Sequence, residues 1–257
     1  MLLYCDCANT QLIDPELKQK IKSYLGDFQD EPFLTSDLCG MIGNRDEKLT
    51  EIVEADNLKI IACYPRAIKW LFNQAGLQLP DETEFLNMKE ASSEGVDLFF
   101  NNASVGNNKP IAIPEYKDEW IPWFPVIDYD RCVNCKQCLS FCLFDTYVLD
   151  DQGIVTVQNP SHCKNNCPAC ARICPEAAII FPKLDEAPIN GSVIGDEDAV
   201  KSKIKLNVEQ MLGNDIYAAL EKRKQKKKQL FSKTVDLKKA MQERAAHTEL
   251  SQKREIE

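Results

Sequence analysis

Histidine is nearly missing from this 257-residue chain: two are present, His162 and His247, far apart in sequence. With so few imidazoles, histidine-rich metal sites and His-based acid–base catalysis have little to work with. No run of about 18 apolar residues occurs, so nothing is expected to span a bilayer. There is no G-x-G-x-x-G, no phosphate-cradling P-loop and no H-E-x-x-H, so no flavin or nicotinamide fingerprint, nucleotide loop or zincin helix is expected. No Cys-x-x-Cys is followed by His, which sets covalently attached haem aside. The opening Met1-Leu2-Leu3-Tyr4-Cys5-Asp6 has neither a basic n-region nor a small-residue cleavage site, so a cytoplasmic chain is expected.

What is present is cysteine, twelve in all, in a chain that is 44% hydrophobic and 28% charged with a net charge of −9. In a reducing compartment, clustered thiols serve metal binding more often than disulfides. Cysteine and charge are both unevenly laid out. Residues 201–257 carry 15 basic and 8 acidic side chains, whereas residues 1–200 carry 16 and 32. Eight cysteines lie between Cys132 and Cys174, and the other four, Cys5, Cys7, Cys39 and Cys63, lie in the first quarter. Four segments are expected: an α/β domain over 1–100, a linker over 101–119, a cysteine-rich domain over 120–185 and a helical, basic tail over 186–257.

Residues 1–100 alternate short apolar runs with helical stretches. Met1–Cys5, Pro32–Thr35 and Leu58–Cys63 read as strands, and Val96–Phe100 as a candidate fourth. Asp14-Pro15 opens a helix as N-cap and first residue, with Leu17, Ile21, Tyr24, Leu25 and Phe28 near the 3.6 period. Arg45–Ala55 and Arg66–Ala75 also read as helices, the latter closed by Gly76. The alternation predicts a small, mainly parallel sheet layered with helices. Cys5, Cys7, Cys39 and Cys63 then fall at the carboxyl ends of three strands, where open α/β sheets place their sites. Four ordinary buried cysteines fit the spacing as well as a metal site does.

Cys5-Asp6-Cys7, a lone Cys39 before Gly40, and Ala62-Cys63-Tyr64-Pro65-Arg66 after an apolar strand resemble the amino-terminal domain of the large, flavin-binding polypeptide of heterodisulfide reductase. The resemblance covers about 80 residues and implies a [4Fe–4S] cluster held by Cys5, Cys7, Cys39 and Cys63. The flavin domain that continues that polypeptide has no counterpart here.

Cys132-x-x-Cys135-x-x-Cys138-x-x-x-Cys142 is followed by Cys163-x-x-x-Cys167-x-x-Cys170-x-x-x-Cys174-Pro175. This doubled run resembles the bacterial two-cluster ferredoxins. The resemblance implies an α+β module in which Cys132, Cys135, Cys138 and Cys174 hold one [4Fe–4S] cluster and Cys163, Cys167, Cys170 and Cys142 the other. It also places the last cysteine of each run on a short following helix. Pro125–Asp130, Thr146–Leu149, Ile154–Val157 and Ala177–Phe181 read as flanking strands, the middle two as a hairpin about Asp150–Gly153. Two departures stand out. Leu143 follows Cys142 where the family has proline, and the second run has one extra residue between Cys163 and Cys167, so that loop must bulge. Paired structural zinc sites are the competing reading of the cysteine pairs.

The stretch Glu119–Pro125, with Trp120, Trp123 and Phe124, is expected to pack against the module. In the tail, Leu206, Val208, Met211, Leu212, Ile216, Ala219 and Leu220 form a partly apolar face. Six cations then occupy the seven positions from Lys222 to Lys228. A solvated, partly frayed helix is expected there; docking to an acidic protein and, more weakly, nucleic-acid binding are the alternatives.

No nucleophile–base pair accompanies the cysteines, so the chemistry is expected to reside in the cofactors. The expected function is an iron–sulfur electron carrier or oxidoreductase component with two ferredoxin-type clusters and a third amino-terminal one, relaying electrons between oxidoreductase partners. A small disulfide-type reductase acting at the amino-terminal cluster and a redox-sensing regulatory protein are the alternatives.

Overall fold

The computed structural model describes residues 1–28, 31–101, 110–115, 120–212, 218–223 and 225. The chain divides into two compact units, Met1–Lys117 and Asp118–Glu257. None of the described helices is long and apolar enough to cross a membrane.

The first unit is a four-stranded parallel sheet. Strands β1 (Leu2–Cys5), β2 (Phe33–Thr35), β3 (Lys59–Ala62) and β4 (Glu84–Asn87) lie in the order β2-β1-β3-β4. Its helices are α1 (Pro15–Gly26), α2 (Leu38–Gly43), α3 (Lys48–Val53), α4 (Pro65–Gln74) and α5 (Ser93–Phe99). β1 and β3 are buried along most of their length, as central strands covered on both faces must be. Leu3, Tyr4, Ile21, Ile60, Ile61, Leu71 and Phe72 form a fully buried apolar core. Asp14 caps α1 with its carboxylate on the Glu16 N–H, at 2.9 Å, and Pro15 is the first helical residue. Gly76, at φ +80°, closes α4 while the Leu77 N–H reaches back to the Phe72 carbonyl at 3.0 Å.

One expectation is corrected here. Residues 96–100 are not a strand: Ser93–Phe99 is helix α5, started by the Ser92 hydroxyl, which accepts the Gly95 N–H at 3.1 Å. Val96 and Phe100 face inward while Leu98 is 68% exposed, and Phe100 stacks on Tyr24 of α1 at 4.6 Å. The fourth strand is Glu84–Asn87, a polar edge strand with Leu86 buried, whose composition gives no apolar run. The helix expected over 45–55 is present but shorter, as α3 at Lys48–Val53, and a separate short helix, α2, precedes it. Arg45 between them takes a left-handed conformation, φ +53°.

α5 is held to α1 by Asp97, which accepts bonds from Lys20 Nζ at 2.7 Å and from the Tyr24 hydroxyl at 2.6 Å. Those bonds hold the Asp97 carboxyl below the usual range despite the opposing effect of burial. Its stabilising contribution is therefore complete above the unfolded aspartate pKa of about 3.9 and is lost as pH falls through the lower folded value. The melting temperature of the chain should exceed that of Asp97→Asn at neutral pH. The gap should close as pH falls below the unfolded aspartate value, and a gap that widened in acid would contradict the assignment.

The second unit has little regular structure. β5 (Val126–Ile127) pairs antiparallel with β8 (Ile179–Ile180), and β6 (Tyr147–Leu149) with β7 (Val155–Val157). Between them run α6 (Gln137–Phe141), a 3₁₀ turn at Pro160–His162 and α7 (Ala169–Arg172), and α8 (Glu197–Leu212) follows. The β6–β7 turn is pinned by Asp150 Oδ1, which accepts the N–H groups of Gln152 and Ile154 at 2.9 and 2.8 Å, with Gly153 at φ +75°. Trp123 and Phe124 are buried, Trp123 stacked on Phe181 at 5.3 Å, so the aromatic stretch packs against the module.

The expected apolar face of the tail is partly used: α8 docks on the module through Val208 and Leu212, which join Phe141 and Ile173 in one buried cluster. Of the expected apolar face, Leu206 and Met211 are exposed and Ile216 lies outside the described residues. Within the basic run, residues 224 and 226–228 also lie outside them, as does His247.

Candidate metal centres

In the second unit the first cysteine run is wound into a tight loop by two left-handed residues, Asn134 at φ +53° and Lys136 at φ +63°. Neither is glycine, so the loop is held from outside. Asn134 does this with both ends of its amide: Nδ2 donates to the Gly153 carbonyl at 2.9 Å and Oδ1 accepts the Val155 N–H at 3.1 Å. Behind it, the Cys132 N–H bonds to the Asp128 carbonyl at 2.9 Å. Cys138 lies within α6, and Cys142 caps that helix in an extended conformation, φ −67° and ψ 128°. The fourth cysteine of the run thus stands at the end of the helix that carries the third, rather than on a following helix. α6 ends there without the proline that Leu143 replaces.

The second run repeats the plan. Cys170 lies within α7 and Cys174 just past its end. The extra residue is absorbed by a turn from Lys164 to Cys167, closed by the Cys167 N–H on the Lys164 carbonyl at 3.2 Å, with Asn166 left-handed at φ +57°. Gln137 Nε2 donates to the Ile173 carbonyl at 3.0 Å and ties α6 to the end of α7. Cys174 thereby lines one recess with Cys132, Cys135 and Cys138, and Cys170 lies within reach of the charges of Cys163, Cys142 and Cys138. Each run therefore lends its last cysteine to the neighbourhood of the other.

The thiols are electrostatically burdened. Burial raises Cys138, and the charges of Cys174, Cys135 and Cys132 raise it further. Cys170 is raised in the same way by burial and then by Cys163. Crowded, buried thiolates require compensating positive charge, which an iron–sulfur core supplies. Two sulfurs also receive protein hydrogen bonds: the Tyr147 hydroxyl donates to Cys170 Sγ at 3.1 Å, and the Ala178 N–H to Cys174 Sγ at 3.3 Å. Tyr147 is 1% exposed, so its hydroxyl is committed to that sulfur. The two sets differ in cover: Cys163 and Cys170 are buried, while Cys135 is exposed at the mouth of a recess it shares with Cys132, Cys138 and Cys174.

In the first unit the four cysteines gather at the carboxyl ends of the strands. Cys5 ends β1; Cys7, left-handed at φ +48°, follows it; Cys63 follows β3; Cys39 lies in the first turn of α2. Cys5 and Cys7 Sγ are 3.5 Å apart, and the Leu38 N–H at the start of α2 donates to Cys5 Sγ at 3.3 Å. The Cys7 hydrogen bond lowers Cys5 against the opposing effect of burial. Cys7 is raised by that same bond, by burial, and by the charges of Cys5, Cys63 and Cys39. The contact between the two sulfurs, in which either can donate, ties this pair together.

Asp37 organises this corner. It is 1% exposed, caps α2 through the Gly40 N–H at 3.2 Å and accepts Asn9 Nδ2 at 2.6 Å, linking the loop after Cys7 to the helix of Cys39. Backbone bonds from Asp6 N–H to Thr35 O and from Ala8 N–H to Ser36 O, both 2.8 Å, close the same loop onto β2. Asp37 was legible as an N-cap three residues before Gly40; Asn9, Asn134 and Tyr147 carry no such signal.

The donor sets fit iron–sulfur ligation by their chemistry: each is all sulfur, soft and mostly buried or half-buried. Among the described residues, no three Cys, His, Asp or Glu side chains close around a single-ion point. His162 stands before Cys163 at the end of the 3₁₀ turn, its buried Nδ1 without a hydrogen-bond partner among the described residues.

The chain matches the model of the 4Fe-4S dicluster domain family over residues 124–204. It is 33% identical to an uncharacterized ferredoxin of Methanocaldococcus jannaschii over 139 residues, covering 53% of this chain and 67% of that one. It is 32% identical to Ferredoxin-3 of Nostoc sp. over 75 residues, covering 22% of this chain and 76% of that one. No solved structure matches.

Proposed function

The chain belongs to the ferredoxins that carry a 4Fe-4S dicluster domain, and on that premise we propose that it relays electrons between oxidoreductase partner proteins through two ferredoxin-type centres and a third, amino-terminal one. Cys132, Cys135, Cys138 and Cys174 hold the first centre. Cys163, Cys167, Cys170 and Cys142 hold the second. Cys5, Cys7, Cys39 and Cys63 hold the third. When bound, [4Fe–4S] clusters supply one-electron redox chemistry.

The observation that supports this reading is the recess in which Cys174, from the second run, stands with Cys132, Cys135 and Cys138 of the first. The chain's own contribution is ligation, burial and hydrogen bonding to sulfur. Cys135, exposed at its recess, offers the first centre to a partner, while the buried Cys163 and Cys170 keep water from the second. The amino-terminal assignment rests on the gathering of four thiols at the sheet's carboxyl edge, around Asp37.

Iron and acid-labile sulfide analysis of anaerobically purified chain tests the proposal. About twelve irons per chain are expected; about eight would remove the amino-terminal centre alone, and stoichiometric zinc would overturn the whole reading.

A second reading, a disulfide-type reductase at the amino-terminal centre, is favoured by the 3.5 Å approach of the Cys5 and Cys7 sulfurs. An EPR signal from that centre altered by an added small disulfide would support it, and an unaltered one would not.

A further inference from the structure

The carboxy-terminal segment has no role in the electron-carrier reading, yet it is built onto the module at both ends. At its start, Glu197 takes both guanidinium nitrogens of Arg131 at 2.8 and 2.9 Å, while Arg131 Nε donates to the Glu176 carbonyl at 2.7 Å. Arg131 adjoins Cys132 and Glu176 lies two residues past Cys174, so this anchor is on the side of the first centre. Lys203 reaches Glu186, which also holds Arg172 of α7. Further on, Val208 and Leu212 pack on Phe141 and Ile173, with Ala219 and Leu220 against the same cluster.

The far end comes to rest over the second centre. The Arg223 guanidinium lies on the Phe141 ring at 3.8 Å, and its Nε donates to the Phe141 carbonyl at 3.3 Å. Phe141 directly precedes Cys142, and the charges of Cys142 and Cys167 act on Arg223. Both are proposed ligands of the second centre, and no corresponding cation is stacked beside the cysteines of the first among the described residues. Cation–π contact and a carbonyl bond hold the guanidinium in place, so its charge is fixed there rather than averaged over a mobile side chain.

A cubane with four thiolates is an anion that gains a further negative charge on reduction, so a fixed, half-buried cation favours the reduced state. Burial acts in the opposite sense by penalising the greater charge. We infer that α8 and residues 218–223 pack beside the second centre, and that Arg223 sets that centre's reduction potential by offsetting the charge penalty of its burial. The inference rests on the two-centre reading of the ferredoxin module and assigns Arg223 as a tuning residue.

The test uses the full chain, anaerobically purified, with iron analysis preceding an EPR-monitored redox titration. Arg223→Gln is expected to keep the iron content and to make one centre about tenfold harder to reduce, about 59 mV for one electron, with the other centres unmoved. Arg223→Lys keeps the charge but loses the planar stacking, so it should fall between. Tyr147→Phe, which removes a hydrogen bond to Cys170, identifies the centre: it must shift the same one. Full iron with all potentials unchanged in Arg223→Gln would overturn the inference, as would a shift in a different centre from Tyr147→Phe. Iron missing from the parent chain would instead sink the reading beneath it.

Discussion

Replacing Cys170 with alanine should remove about four irons per chain and destabilise the second unit far more than the loss of one buried sulfur explains. The unit's strands are two or three residues long, and helices α6 and α7 are five and four. Such elements do not bury enough apolar surface to fold a small domain unaided, so bound metal supplies folding free energy. A second penalty comes from Tyr147. Tyr147 is 1% exposed, its hydroxyl would lose its hydrogen bond to the Cys170 sulfur, and an orphaned buried hydroxyl costs about 1–3 kcal/mol. The double variant Cys170→Ala/Tyr147→Phe separates the two effects. It should regain about 1–3 kcal/mol over Cys170→Ala in a denaturant titration while its iron stays low. Full iron in the single variant would remove Cys170 from the ligand set.

Cys63→Ala, in contrast, should lower iron from about twelve to about eight per chain while leaving the first unit folded. Its parallel sheet is complete without a cofactor: Leu3, Ile60, Ile61, Leu71 and Phe72 are fully buried, and Cys63 stands beyond the end of β3. Losing one buried sulfur from that rim should cost about 1 kcal/mol, far less than the 3–5 kcal/mol, roughly, of a phenylalanine truncation such as Phe72→Ala. Iron analysis with circular dichroism melting checks both halves of the expectation. Iron that stays at about eight in parent and variant alike would show that the four thiols hold no cluster.

The contrast between these variants comes from how each unit is built. The first unit folds around aliphatic and aromatic side chains and presents cysteines at its edge, so centre and fold are separable. The second folds around its cysteines, so they are not. The carboxy-terminal segment adds conventional core to it: Val208 and Leu212 extend a cluster that Phe141 and Ile173 alone would leave exposed.

Much of this was written along the chain, and the limits of that writing are physical. Ligand spacing is a local property, so Cys132 to Cys142 and Cys163 to Cys174 announced themselves, as did Asp14-Pro15 and the turn at Gly153. The β-branched run at β3 was equally plain. β4 was not, because an edge strand with one buried side chain needs no apolar pattern. Residues 96–100 misled because five residues rich in Val, Leu and Phe read as strand until the Ser92 cap and the facing Tyr24 settle them as helix. The doubled cysteine run and the strand–helix alternation are legible along the chain because contacts a few residues apart set them. It takes the closed fold to bring Cys174 into the recess of Cys132, Cys135 and Cys138, to aim Tyr147 at Cys170, and to lay Arg223 on Phe141, 82 residues away in sequence. Those contacts join distant segments, and no local pattern of charge or hydrophobicity encodes which partners meet once the chain has closed on itself.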